Sequence, residues 1–436
     1  MELSAYIIVS ITLLVVILFL FLGCPIFISL GIGSVVGTLM ARGPSGLGTI
    51  PTSMYSQLSS FILVAIPLFI LMGEIISHTG IGNDLYESLS RWLYRIPGGL
   101  AVSSIYACAF FGAMCGVSIA GVGTIGPLAV PEMLKRKYNP RLAAGSVTAA
   151  GALAMLIPPS ITFIIYGAIT FVSVGKLFIA GIFPGLLLAT MMAIYVIIRV
   201  MIIPSDAPRI YETISWKERL KPLLRLWPAV IVILCVLGSI YLGICTPTEA
   251  AAVGVIGSTL IAKSVYNTLN LKSLWQILII SARASVSILV ICASALAFGN
   301  FLGVMRIPEA FAEAVLSLPL SPIGVVFVFM VALVFLGMFI DGVSLILVTT
   351  PILLPALLKM GFDPLWYGVI LTLNIEMAVI TPPVGLNLYA MKSVCPDLNI
   401  VDIIWGTMPY VVIEFLCISL FILFPSMIYW LPNLLR

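Results

Sequence analysis

Asp341 stands in the octet Gly337–Met338–Phe339–Ile340–Asp341–Gly342–Val343–Ser344, within a long apolar stretch. A carboxylate at membrane depth is costly, and it marks an ion or substrate path unless it serves to cap a helix end. Sodium is a hard cation and takes oxygen ligands, by extension of the argument for calcium and magnesium. Such oxygens are offered downstream by Thr381–Pro382–Pro383–Val384–Gly385–Leu386–Asn387, where two prolines interrupt an apolar helix and free its carbonyls. Asp341, Gly342, Thr381 and Gly385 are therefore the expected ligands of one sodium site. Gly116–Val117–Ser118 and Ile157–Pro158–Pro159–Ser160 have the same character. Gly116, Ser118 and Pro158 form a second expected site, which rests on hydroxyls and carbonyls because no carboxylate matches Asp341 there.

An anionic solute suits the space between these segments, since broken helices present positive N-terminal ends at the midplane. Ser118, Ser160, Ser344 and Asn387 are the polar side chains best placed to bind it. Each has an ordinary alternative as a helix cap or helix-packing group. Two further acids fall in apolar segments: Glu376, little more than a turn before the Thr-Pro-Pro break, and Glu74, expected to pair with a neighbouring helix. Arg283 is expected to snorkel or pair. His78 is the only histidine, which excludes a histidine-rich metal site and a Ser-His-Asp triad. Asp341 has no second deeply placed aspartate and no HExxH occurs, so an enzyme is not expected.

The elements that must position these residues come in two copies. The offset from Pro158 to Pro382 is 382 − 158 = 224, and the same offset carries Pro159 to Pro383, Pro127 to Pro351, Pro131 to Pro355 and Pro140 to Pro364. Five prolines on one ungapped offset indicate an internal duplication. Paired broken helices in two repeats point to a transporter binding site, and they suit alternating access better than an open channel.

Composition gives the class: 61% of residues are apolar and 9% charged, with a net charge of +4. Apolar runs near the ~20 residues that span a bilayer recur throughout, so the chain reads as an all-α polytopic membrane protein. The eight cysteines form no CxxC pair and read as small buried thiols. The first apolar segment lacks a positive n-region and is expected to be a retained span rather than a signal peptide.

Spans are expected near 5–22, 24–41, 60–78, 142–166 and 178–200, with counterparts near 229–246, 248–264, 276–302, 366–390 and 404–428. The regions 98–134 and 322–358 are too long for one span and short for two, and each has Gly and Ser at its middle. A re-entrant hairpin fits both, with a pair of short tilted helices as the alternative. Five crossings per half force the second repeat upside down. The domain expectation is thus a first inverted repeat over 1–203, a basic cytoplasmic linker over 204–226 and a second inverted repeat over 227–436. Lys135, Arg136, Lys137 and Arg141 after the first hairpin, and the basic linker two crossings later, agree on a cytoplasmic side. The stretch 81–97 reads as an interfacial helix, with Leu85, Leu89, Trp92, Leu93 and Ile96 on one face and Asp84, Glu87, Arg91 and Arg95 mostly off it. The stretch 304–320 mirrors it.

At these residues the chain resembles the large membrane subunit of tripartite ATP-independent periplasmic (TRAP) transporters. The resemblance rests on Pro67–Leu68–Phe69 with Gly73–Glu74, the Gly116–Val117–Ser118 tip, Ile157–Pro158–Pro159–Ser160–Ile161, Gly337 to Asp341, Pro351–Ile352–Leu353–Leu354–Pro355, and Asn374 followed by Thr381 to Leu388. Cys115 and Val117 depart from it, standing where the first tip is usually richer in serine. The resemblance implies a sodium-driven importer of an organic anion in the bacterial or archaeal inner membrane, with Na+ as coupling ion and no other cofactor. It implies two partners, a small four-helix membrane subunit and a periplasmic substrate-binding protein that largely sets specificity. It also implies an elevator-type movement of hairpins and broken helices against a scaffold. The rival reading is a stand-alone sodium- or proton-coupled dicarboxylate symporter, which would need no binding protein.

Overall fold

The computed structural model describes residues 2–208 and 215–434, and the described chain is helical with no strand. Helices α1 (Glu2–Phe21) and α2 (Ile26–Arg42) lead into α3 (Thr49–Leu58) and α4 (Ala65–Ser77). The segments Pro44–Leu58 and Phe61–Ser77 meet at 59°, so the third apolar element is sharply bent. Next come α5 (Ile81–Leu93), α6 (Gly99–Cys115), α7 (Ser118–Lys135), α8 (Pro140–Ala152), α9 (Ile161–Thr170) and α10 (Val174–Ile202). After the linker follow α11 (Trp216–Leu223), α12 (Trp227–Ile233), α13 (Ser239–Tyr241), α14 (Pro247–Ser264), α15 (Leu271–Val304) and α16 (Ile307–Leu316). The chain closes with α17 (Pro322–Gly337), α18 (Gly342–Lys359), α19 (Pro364–Val379), α20 (Leu386–Val394), α21 (Ile400–Leu423) and α22 (Ser426–Leu434).

Among the described residues, five helices are long and apolar enough by themselves to cross a bilayer. Large apolar side chains such as Leu14, Phe21, Ile198, Leu234 and Val331 face outward, as a hydrocarbon surround allows. The chain is a multi-pass membrane protein. Helices α6 and α7 form one hairpin with a two-residue tip, Gly116–Val117, and α17 and α18 form another with the tip Met338–Asp341. The regions 142–166 and 366–390 each resolve into two helices, α8 with α9 and α19 with α20. The breaks follow from chemistry: a proline supplies no N–H to the carbonyl four residues earlier and its ring clashes with it.

Helix α8 is buried from Leu142 to Ala152 and is built mostly of Ala, Gly and Ser, which lets α7 and α21 approach it closely. The nearest approach is at Gly145, where an added Cβ would stand 2.0 Å from the Gly406 carbonyl oxygen. Away from this core, α4 packs on α14 and α15, and α15 also packs on α2 and α3. The amphipathic helices link the parts, with α5 lying on α6 and α16 on α18.

Three details differ from the sequence reading. Asp84 does not face water: it is buried and accepts a 2.7 Å hydrogen bond from the Tyr266 hydroxyl, because α5 lies beside the end of α14. The interfacial stretch also has a protein partner, reached by one residue from each of its faces. Arg91 and the Trp92 indole donate to the Glu218 and Arg219 carbonyls of α11, at 3.1 and 3.2 Å. Arg283 falls well inside the 34-residue α15 and is exposed rather than at the mouth of a span. Of the linker charges, Arg209 and Glu212 lie outside the described residues.

Gly145→Ala is expected to lower stability by about 1–3 kcal/mol, the range for overpacking a filled interior. The check is a thermal melt in detergent beside Gly123→Ala, which meets nothing within 4 Å and should melt like the parent.

Candidate functional site

Removing two N–H groups from a helix leaves carbonyls that lipid cannot satisfy, so side chains of the break must do it. At the first break, the Thr162 hydroxyl donates to the Met155 carbonyl at 2.8 Å, and the Ser160 hydroxyl donates to the same oxygen. At the second, the Thr381 hydroxyl donates to the Met377 carbonyl at 2.5 Å and the Thr381 N–H to the Ala378 carbonyl at 3.2 Å. The Pro158–Pro159 and Pro382–Pro383 peptide bonds are both cis.

Each tip closes against a break. Gly116 has φ of 64°, in the left-handed region, and an added Cβ would stand 2.3 Å from the Pro159 carbonyl oxygen. Only glycine meets both demands at low cost. Ser118 opens α7 and donates to Asn387 Oδ1 at 2.6 Å, while Asn387 Nδ2 donates to the Thr148 carbonyl at 3.2 Å. The first tip is thereby tied to the second broken helix and to α8. At the second tip, Asp341 caps α18: Oδ1 accepts the Ser344 N–H at 3.1 Å and Oδ2 the Ser344 hydroxyl at 2.5 Å. The Val384 N–H donates to the Met338 carbonyl at 3.3 Å, joining this tip to the second break. Below the tips, Gly112 packs on Ala154 and Gly337 on Ala378; 154 + 224 = 378, while 112 + 224 = 336 falls one residue before Gly337.

At the first tip lies a cavity of about 160 Å³, walled by Gly116, Val117 and Ser118, by Met155 and Thr162, and by Val343 of α18. Helix α4 contributes Gly73 and Glu74, and α15 contributes Ala284 and Ile288. Gly73 allows this approach, since an added Cβ there would meet Cys115 Cβ at 2.9 Å. Glu74 was expected to pair with a neighbouring helix; its residue instead forms part of the cavity wall. It is an acidic residue in the wall beside the first tip, where the sequence reading offered none. Of the remaining expected residues, Ser118 reaches the cavity wall. Ser160, Ser344 and Asn387 are fully buried in the bonds described above, and Asp341, Gly342, Thr381 and Gly385 lie at the second tip and break, outside this wall. Pro158 is buried behind the first tip.

Helices α7, α9, α18 and α20 begin at this junction, and α6, α8, α17 and α19 end at or just before it. Positive helix ends favour an anion and negative ends a cation, so the arrangement can hold both kinds of ion. Among the described residues no three His, Cys, Asp or Glu side chains converge. The donor set is carboxylate, hydroxyl and carbonyl oxygen, which fits sodium. A second, open cavity of about 530 Å³ follows α18 away from its tip, lined by Ser53, Gln57, Thr170, Asn300 and Thr350 among others.

The family model described as "Tripartite ATP-independent periplasmic transporter, DctM component" matches residues 13–427. The C4-dicarboxylate TRAP transporter large permease protein DctM of Pseudomonas aeruginosa is 34% identical over 407 residues, 93% of this chain and 94% of that protein. The isethionate TRAP transporter permease protein DctMQ of Oleidesulfovibrio alaskensis is 34% identical over 386 residues, 86% of this chain and 59% of that protein. Among solved structures, the YdaH transporter of Alcanivorax borkumensis superposes with a TM-score of 0.62 at 15% identity, covering 87% of this chain and 88% of that one, a likeness of fold.

The bond between Ser118 and Asn387 ties elements far apart in sequence, so Ser118→Ala and Asn387→Ala should not be additive. A double-mutant cycle read by thermal melts is expected to give a coupling of about 0.5–3 kcal/mol. Additive losses would mean that the two side chains act separately.

Proposed function

Because the chain belongs to the DctM-component family of TRAP transporters, we propose that it is the translocating subunit of a sodium-coupled organic-anion importer. The observation that carries this reading is the closing of each hairpin tip on a broken helix, with Glu74 in the wall of a cavity at the first tip and Asp341 capping the helix at the second. One sodium ion is taken at the first tip by oxygens of Gly116, Ser118 and Pro158, with Glu74 supplying the charge. The other is taken at the second tip by Asp341, Gly342, Thr381 and Gly385. Neutralising two carboxylates lets an anion approach the positive helix ends, so substrate binding depends on sodium.

The substrate is an organic acid, a carboxylate or a sulfonate, in line with relatives named for C4-dicarboxylates and isethionate. It is delivered by a periplasmic substrate-binding protein, and a small membrane subunit completes the assembly. The DctMQ relative is much longer than this chain, which leaves room for a second permease part in one polypeptide. Residues 1–203 and 227–436 act as inverted repeats joined by a cytoplasmic linker in the inner membrane. The proline offset and the paired Gly112–Ala154 and Gly337–Ala378 contacts support the repeat. Hairpins and broken helices move as an elevator against a scaffold of α1 to α4, α14 and α15, with α5 and α16 as the arms.

A ligand that binds only the folded state raises apparent stability with its concentration. Titrating NaCl against choline chloride should raise the melting temperature in sodium alone. Asp341→Ala and Glu74→Gln should each weaken that rise, and the pair should abolish it. Identical curves in the two salts would remove sodium coupling. Uptake without any binding protein would favour the stand-alone symporter.

A further inference from the structure

Two carboxyls in the core take no part in the site above. Glu376 on α19 and Glu414 on α21 are both fully buried, and none of their four oxygens has a hydrogen-bond partner. The helices pack side by side, and the two carboxyls act on each other electrostatically and on the Cys417 thiol one turn further along α21. The Leu156 amide approaches Glu376 but donates to the Leu153 carbonyl at 3.2 Å.

Cations on the elements packed against α19 and α21 are committed elsewhere. Arg141 pairs with Asp402 at 2.9 Å, and Arg199 with Asp206 at 2.7 Å and with the Tyr195 hydroxyl at 3.0 Å. Lys392 donates to the Pro396 and Leu398 carbonyls, each at 2.7 Å. Lys176 and Lys359 are exposed at helix ends. Asp341 and Asp363 cap α18 and α19. The Tyr166 hydroxyl donates to the Pro364 carbonyl at 2.6 Å, while Tyr367 and Tyr410 are buried hydroxyls without a partner, and Tyr389 and Tyr429 lie toward the periphery. Among the described residues, nothing facing the pair carries a positive charge. Two ionised carboxylates in a low-dielectric interior, near each other and without a counter-ion, are prohibitively unfavourable. A sodium ion does not solve the problem, because no hydroxyl or carbonyl is bonded to either group to complete an oxygen shell.

We propose that Glu376 and Glu414 form an intramembrane proton-binding site that retains at least one proton in the folded protein at neutral pH. On folding, a carboxylate takes up H+ from water to become a carboxylic acid, and no other reactant is needed. The site joins α19, the helix that precedes the second Pro-Pro break, to α21. This goes beyond the sodium reading and does not depend on it.

The first test is infrared spectroscopy of the purified protein in choline chloride without sodium, at neutral pH. A carboxylic-acid C=O stretch is expected, reduced in Glu376→Gln or Glu414→Gln and lost in the double variant. The parent spectrum decides even if the variants misfold, since absence of that band overturns the proposal. A sodium-dependent stabilisation that the Gln substitutions remove would also overturn it. Because the infrared arm is read without sodium, its failure leaves the sodium sites standing.

Discussion

The backbone of a helix interrupted inside a bilayer has nothing outside the protein to bond with, and the rest of this structure follows from that constraint. The two Pro-Pro pairs strip donors from α8 and α19, and the chain answers with hydroxyls placed beside each break. Ser160 and Thr162 serve the Met155 carbonyl, and Thr381 serves Met377. Because a break must also be shielded, each is covered by a hairpin tip that itself lacks helical bonds. Break and tip protect each other, and the cavity lies against the first of these covered sites.

The same constraint explains why the junction suits ions. Interrupting four segments creates helix N-termini and C-termini in one small volume, with both signs of partial charge. Full charges are few, Glu74 and Asp341 foremost. Asp341 stabilises the start of α18 and still presents its remaining lone pairs. Family membership places such a junction in the DctM component of a TRAP transporter, and the small residues of α8 give it a close-packed backing.

Much of this was legible in the sequence because prolines report directly on backbone chemistry. The 224-residue offset located both breaks, and the Gly/Ser centres of 98–134 and 322–358 located both tips. Helix ends at Gly99, Lys135, Pro322 and Lys359 lie within a residue or so of those limits. Long-range packing was not legible. Glu74 joins the first tip only because Gly73 lets α4 touch Cys115, and Glu414 meets Glu376 only because α21 crosses α19. Asp84 seemed a surface acid until Tyr266 arrived from α14. In each case the partner is far along the chain and no local pattern announces it. The bend before α4 was missed for a different reason: its first arm, Thr49 to Leu58, is too polar to look like part of a span.

The most direct measurement is uptake of a labelled C4-dicarboxylate or sulfonate into proteoliposomes holding this chain with its small subunit and binding protein. An inward sodium gradient would be compared with an equal potassium gradient, for the parent and for Asp341→Asn. Accumulation that needs sodium, and that falls at least tenfold in the variant (about 1.4 kcal/mol of lost binding), is the predicted result. Equal uptake under both gradients, or a variant as active as the parent, would contradict the account.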